Sequence, residues 1–290
     1  VVTPDGTAST DVDRTGTDNR GDNLRTRRKY CYNILVSGLD DDNGGSDTNI
    51  LVRFDVPNKR IDLVSLPRDT LLHNEYRNNK LNFAYAKGGT ELLMEQIENL
   101  LGIPVDFYVT VNLKGFIALV DQIDGVDFDI PINMDYDDPY QDLHIHFTKG
   151  PRHLNGQEAM EVVRFRHNND GTGYGTEDIG RIGTQQAFLK AVAKQLLQIG
   201  NVKNIPALVD IFYTYVKTDL TTGNLVWLGN EALNIGTENI HFATLPGDGS
   251  GYYNKQSVYV LDAQATCDLV NEALNPYNEA LTLEDMDILV

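Results

Sequence analysis

Leu63-Val-Ser-Leu-Pro-Arg-Asp-Thr70 reads as a buried strand that stops on an arginine. Apolar residues run up to Pro67, whose fixed φ and missing N–H end a central strand. Arg68 and Asp69 are then presented at the strand's carboxyl end, where open α/β sheets bind their ligands. The planar five-donor fork of Arg68 suits phosphate oxygens. Outward from this stretch the pattern alternates. Strands are predicted at Asn33–Leu39, Thr48–Phe54, Ile61–Leu66, Asp106–Val111, Val126–Ile130, Ile240–Thr244 and Ser257–Val260. Leu81–Lys87 predicts a short helix broken at Gly88-Gly89, and Leu92, Leu93, Ile97, Leu100 and Leu101 recur at helical spacing over Glu91–Leu101. Further helices are predicted over Leu113–Ile123, Asn155–Val163, Ile179–Ile199, Ile205–Thr214, Thr222–Leu233 and from an Asp262 cap to Leu274. Met134–Gly150 reads as an irregular or hairpin excursion and His167–Glu177 as a glycine-rich loop. Strands alternating with helices argue for an α/β or mixed three-layer domain.

The chain has 290 residues, 41% of them hydrophobic, which is ample for a core. Its formal charge is −18, from 42 acidic and 24 basic residues. Such a surface repels nucleic acid and anionic headgroups, so general polyanion binding is excluded. Arginines gathered at element ends in so acidic a chain therefore point to a specific anion. Residues 1–28 are rich in Thr, Asp, Gly, Asn and Arg and predict a linker or disordered tail. Residues 29–290 predict a single domain. The chain opens at Val1 without a methionine, which reads as a mature fragment or a piece of a longer protein. No apolar run is long enough to span a bilayer, and no signal peptide stands at the start. Cys31 and Cys267 are either ordinary buried thiols or one bridge between the first strand and a late helix.

Two basic clusters follow Arg68: Arg164-Phe165-Arg166, and Arg181 within Asp178-Ile-Gly-Arg-Ile-Gly-Thr-Gln185. Arg181 and Gln185 are four residues apart and share a helix face, with Asp178 as N-cap. A helix N-terminus adds free N–H groups and a favourable dipole, making a phosphate seat. Arg164 and Arg166 differ by two, so in an extended segment both point the same way. Asp40 and Asp47 bound the first inter-strand loop. Two carboxylates facing phosphates suggest Mg2+ shared between protein and substrate oxygens.

Taken in order, Asn33-Ile-Leu-Val-Ser-Gly-Leu-Asp40, Ser46-Asp47-Thr48, the Leu63–Thr70 octapeptide, Lys80-Leu-Asn-Phe-Ala-Tyr-Ala-Lys-Gly-Gly89, His153-Leu-Asn-Gly-Gln-Glu-Ala159, Arg164-Phe-Arg-His167 and Asp178–Gln185 resemble the LytR–CpsA–Psr family. The match is collinear over about Tyr30–Gly200 and diffuse beyond, where Leu245-Pro-Gly-Asp-Gly249 fits the closing strand region. The resemblance implies an α/β/α sandwich with a mixed sheet enclosing an apolar lipid pocket. It implies an extracytoplasmic enzyme of mainly Gram-positive bacteria, held by an N-terminal membrane anchor that this chain does not include. Such enzymes transfer a glycopolymer (teichoic acid, capsule) from a polyprenyl-pyrophosphate carrier to peptidoglycan. By the same resemblance Arg68, Lys80, Arg164, Arg166, Arg181 and Gln185 contact the pyrophosphate. Asp40 and Asp47 hold Mg2+, or Mn2+ in its place, and Asp178 orients an arginine or assists the acceptor hydroxyl. Arg68, Asp178 and Arg181 are the catalytic candidates. Gly45 and Thr184 stand where the family often has arginine, which points to weaker transfer or a different substrate phosphate. Two rival readings use the same site: a pyrophosphatase acting on polyprenyl-pyrophosphate lipids, and a non-catalytic lipid-carrier binding protein or envelope regulator.

His144-x-His146 places two imidazoles on the polar face of a strand opposite Leu143, Ile145 and Phe147, and reads as a solvated face rather than a zinc site. Gly171-Thr-Gly173-Tyr-Gly175 follows no strand and reads as a flexible active-site flap.

Overall fold

Cys31–Leu39 (β1), Ser46–Asp55 (β2) and Arg60–Leu66 (β3) form an antiparallel meander. The computed structural model describes residues 25–39, 45–140, 143–174, 177–198 and 213–289. Three further strands complete a mixed sheet. Phe107–Val111 (β4) runs parallel to β1, Ile240–Thr244 (β10) parallel to β3, and Val216–Thr218 (β9) antiparallel to β4. The order is β10-β3-β2-β1-β4-β9. The central strands are apolar on both faces because helices cover both. On one face Leu35, Leu51, Val64 and Leu66 pack with Leu93, Ile97 and Leu100 of α1 (Leu81–Leu101) and Val270 of α6 (Ala263–Ala273). On the other, Ile34 and Phe107 meet Leu225 and Leu228 of α5 (Thr222–Ile235), and Phe54 and Ile61 meet Ile235. The result is the expected three-layer α/β/α arrangement about a mixed sheet. A hairpin of β11 (Gly247–Tyr253) and β12 (Gln256–Leu261) stands beside it.

α1 is interrupted where predicted: Gly88 and Gly89 leave the helical region, with Gly89 at φ +67°. It ends at Gly102, in the left-handed region at φ +66°, where a Cβ would lie 2.3 Å from the Asp285 carbonyl oxygen. Asp262 caps α6, its carboxylate accepting from the Ala265 N–H at 3.0 Å.

The chain divides into two compact units, Val1–Asn112 with Val216–Val290, and Leu113–Tyr215. The sheet belongs to the first. The second holds α2 (Leu113–Gln122), the antiparallel pairs β5 (Val126–Ile130) with β8 (Gly150–Leu154) and β6 (Met134–Asp138) with β7 (Leu143–Phe147), and helices α3 (Gly156–Arg164) and α4 (Glu177–Gln198). Val120, Phe128, Ile145, Phe165 and Phe188 form its core. α3 opens on a capping box: Asn155 accepts from the Glu158 N–H, and the Glu158 carboxylate from the Asn155 N–H.

Several expectations are adjusted. Residues 25–28, assigned to the tail by composition, are bound to the first unit by Arg25–Asp285, Arg27–Asp106 and Arg28–Asp55 pairs at 2.6, 2.9 and 2.6 Å. Ion pairs rather than apolar burial hold them, so hydropathy does not reveal them. Cys31 and Cys267 are both free and buried, and the Cys267 thiol donates to the Leu281 carbonyl. The helix predicted over Ile205–Thr214 lies, apart from its last two residues, outside the described residues.

Candidate functional site

In the first unit, Pro67 ends β3 and begins a turn closed by Thr70. The buried Thr70 donates to the Pro67 carbonyl twice, through its N–H at 3.0 Å and its hydroxyl at 2.6 Å. This turn carries Arg68 and Asp69. The Arg68 carbonyl accepts from the Asn82 N–H in the first turn of α1 at 2.9 Å, and the Asp69 carbonyl from the Tyr259 N–H of β12 at 2.8 Å. A helix terminus supplies donors without intrahelical partners, and here one of them fixes the arginine's own backbone.

The side chains form a row. Arg68 Nη1 is 2.8 Å from Asp47 Oδ1, Arg68 Nε is 3.7 Å from Asp69 Oδ2, and Lys80 Nζ is 3.0 Å from Asp69 Oδ1. Lys80 sits at the N-cap of α1 in extended conformation. Asp47 owes its place to a β-bulge. The β1–β2 register steps from Gly38↔Thr48 to Leu39↔Ser46, making Asp47 the extra residue. Such bulges re-aim one side chain at a sheet end. Two cations and two carboxylates thus balance at the carboxyl end of β3, all partly open to solvent. An incoming phosphate competes with the carboxylates for N–H groups already in place, so little side-chain ordering remains to be done. Asp40 lies outside the described residues.

In the second unit, Arg164 is the last residue of α3, with Nη1 4.0 Å from Met160 Sδ. Phe165 follows in extended conformation and is 1% exposed, while Arg166 is exposed. The two arginines therefore flank a buried aromatic, and because Arg164 ends α3 they do not both lie in the extended segment that their spacing presupposes. The Gln185 amide donates to the Val163 carbonyl at 3.1 Å, docking α4 on the end of α3. Thr184 is buried and its hydroxyl donates to the Gly180 carbonyl at 3.1 Å. α4 begins at Glu177, so Asp178 stands in its first turn rather than at the cap, and Arg181 follows one turn on. The side chains of Asp178 and Arg181 lie outside the described residues.

Two residues, one in each unit, escaped assignment from sequence. Asp69 holds both Arg68 and Lys80, and its place beside Arg68 was the available signal. Phe165 seats the Arg-Phe-Arg segment, its ring T-shaped against Tyr174 at 5.5 Å. Its apolar character between two arginines marked it.

The chain matches the model of the LytR_cpsA_psr family over residues 2–275. It is 32% identical over 252 residues to a Bacillus subtilis protein named polyisoprenyl-teichoic acid–peptidoglycan teichoic acid transferase TagV, covering 82% of this chain and 62% of that one. A Bacillus cereus protein of the same name, TagU, is 31% identical over 267 residues, covering 90% and 83%. The crystal structure of B. subtilis TagV superposes with a TM-score of 0.72 at 27% identity, over 91% of this chain and 100% of that one. The chain therefore spans less than two thirds of the TagV relative's length while containing the whole of the crystallised part. By family match, by identity and by fold, the chain belongs to the LytR–CpsA–Psr family.

Proposed function

We propose that the chain is an extracytoplasmic phosphotransferase that moves a glycopolymer, such as teichoic acid or capsule, from a polyprenyl-pyrophosphate carrier onto peptidoglycan. The observation that carries this reading is the Asp47–Arg68–Asp69–Lys80 row at the carboxyl end of β3. It stands in a chain whose relatives are named as transferases joining polyisoprenyl-linked teichoic acid to peptidoglycan. The proposal includes an apolar pocket for the lipid and an anchor outside this chain. Among the described residues no helix is long and apolar enough to cross a membrane.

In the proposed reaction an acceptor hydroxyl attacks the phosphorus that bears the glycan. The bond to the bridging oxygen breaks, and polyprenyl phosphate leaves with the bonding pair. Arg68 and Lys80 neutralise the charge that grows on the leaving oxygens, which is where phosphoryl transfer gains most from a protein. Asp69 holds both cations in position. Asp178 is assigned to the acceptor hydroxyl. Arg164, Arg166 and Arg181 are assigned to phosphate oxygens by motif match. Gln185, whose amide holds the Val163 carbonyl, supports the segment that carries Arg164 and Arg166.

Asp47 offers carboxylate oxygens, the ligands a hard cation such as Mg2+ takes, and few protein ligands suffice when phosphates supply the rest. Asp47 would hold the ion with Asp40. When bound, such an ion supplies further neutralisation of phosphate charge.

Arg68→Ala tests the reading. Turnover falls by about a hundredfold to a thousandfold, the loss expected on removing one transition-state donor, while lipid-linked substrate still binds. Undiminished turnover in that variant rejects the assignment of Arg68.

A further inference from the structure

The outer face of the β6–β7 hairpin carries four side chains that the transfer reaction does not use. In the antiparallel register Asp135 stands opposite His146 and Asp137 opposite His144. Strand alternation turns these four to solvent, while Met134, Leu143, Ile145 and Phe147 enter the core of the second unit. His144 Nδ1 lies 2.5 Å from Asp137 Oδ1, and His146 Nε2 lies 3.3 Å from the same oxygen. Two imidazole nitrogens and one carboxylate oxygen thus converge within 4.8 Å of one another. The second ring nitrogen of His146, Nδ1, is 2.8 Å from Asp135 Oδ1.

In the tautomer that donates Nδ1–H to Asp135, neutral His146 turns the lone pair of Nε2 toward the Asp137 oxygen. Electron-rich atoms that face one another at this range require a positive centre between them, either a proton or a metal ion. A carboxylate behind the imidazole is also the arrangement that fixes the tautomer of metal-bound histidines and raises their basicity. The backbone is held as well. The Asp135 N–H donates to Asn168 Oδ1 at 2.7 Å, the Asp137 N–H to Asn169 Oδ1 at 2.9 Å, and the Asn169 N–H to the Asp135 carbonyl at 3.1 Å. Both acidic residues therefore start from a fixed strand.

We propose that Asp137, His144 and His146 form a binding site for a divalent transition-metal ion, Zn2+ above all, with Asp135 supporting His146. Imidazole with carboxylate selects zinc, copper or nickel over magnesium and calcium. Zinc bonds of about 2.0–2.2 Å set tetrahedral ligand atoms about 3.3 Å apart, which is the His146 Nε2 to Asp137 Oδ1 separation, and the shorter His144–Asp137 hydrogen bond of 2.5 Å opens to the same span when the ion replaces its proton. Water completes the coordination. Bound metal would clasp the two strands across their exposed face. The proposal is independent of the transferase reading, because it uses none of the same residues.

The test is calorimetric titration of the purified chain with Zn2+ alone in a non-chelating buffer, with the visible spectrum of bound Co2+ as a second readout. One Zn2+ per chain with micromolar affinity is expected, undiminished by excess Mg2+. His144→Ala and His146→Ala each weaken binding at least tenfold, and Asp135→Asn weakens it about tenfold through the histidine it supports. His153→Ala, which removes an exposed imidazole paired with Asp127 on another strand pair, leaves it unchanged. All these side chains are exposed, and circular dichroism verifies that each variant folds. No one-to-one uptake below the millimolar range, or equal affinity in the His144 and His146 variants, overturns the proposal and leaves a solvated row of His–Asp pairs.

Discussion

Arg68 Nη1 and Asp47 Oδ1 are 2.8 Å apart, a bond between the turn that ends β3 and the bulge that opens β2. The side chains are 25% and 38% exposed, so the pair contributes little to stability. Exposed pairs contribute about 0–1 kcal/mol. Asp47→Asn should therefore leave thermal unfolding nearly unchanged while lowering transfer and raising the Mg2+ concentration it requires. Equal loss of stability and activity would assign Asp47 to the fold instead.

Gly45 is the position where the resemblance leads one to expect arginine. Among the described residues a Cβ there would meet the Asn82 carbonyl oxygen, at an ordinary 3.9 Å. Gly45→Arg should fold normally and bind a polyprenyl-pyrophosphate glycan several-fold more tightly, measured by titration. Weaker binding would mean that this position does not face the phosphates.

Gln185 also has a structural contact, its amide donating to the Val163 carbonyl at 3.1 Å. Gln185→Leu leaves the Val163 carbonyl without its amide donor. It should cost about 1–3 kcal/mol in urea unfolding. Any rise in KM then follows from displacement of Arg164 and Arg166. A variant of native stability with a raised KM would instead point to direct contact between Gln185 and substrate.

Phe165→Ala removes a fully buried ring and its contact with Tyr174. Destabilisation by about 3–5 kcal/mol is expected from the loss of such a side chain. Activity should fall further than the folded fraction, because the arginines on either side lose their common seat.

Burial pushes the Cys31 thiol up to about 11. The free thiol of the unfolded chain ionises near its ordinary value of 9.0. A raised native value means that this contribution to stability is complete below pH 9 and is lost as pH rises toward 11. Cys31 should accordingly resist thiol reagents at about pH 8, below its ordinary ionisation, until the chain is unfolded. Rapid labelling of the native protein at Cys31 would contradict its burial.

What sequence could reveal follows from where the information resides. The β3–Pro67–Arg68 sequence is local: an apolar run, a proline and a charge in order, and the structure has that strand and turn. The α1 kink was likewise written in Gly88-Gly89. The bulge at Asp47 depends on the register between β1 and β2, which no single segment contains. The Asp135/His146 and Asp137/His144 pairs depend on the β6–β7 register in the same way. Strands β8 and β11 escaped prediction because most of their residues are exposed, so they lack the alternation that marks a half-buried strand. The three-residue β9 is too short to carry a pattern. Gln185 was legible as a polar residue one helical turn beyond Arg181, but its bond to Val163 arises only when α4 docks on α3.

Transfer itself is measurable with a synthetic polyprenyl-pyrophosphate glycan, by following polyprenyl phosphate release together with glycan on a peptidoglycan acceptor, with and without Mg2+. A phosphotransferase built on the Arg68 row should release polyprenyl phosphate only when both acceptor and Mg2+ are present, with glycan recovered on the acceptor in equal amount. Release without acceptor, or tight lipid binding with no release, would contradict that reaction and leave a pyrophosphatase or a carrier-binding protein respectively.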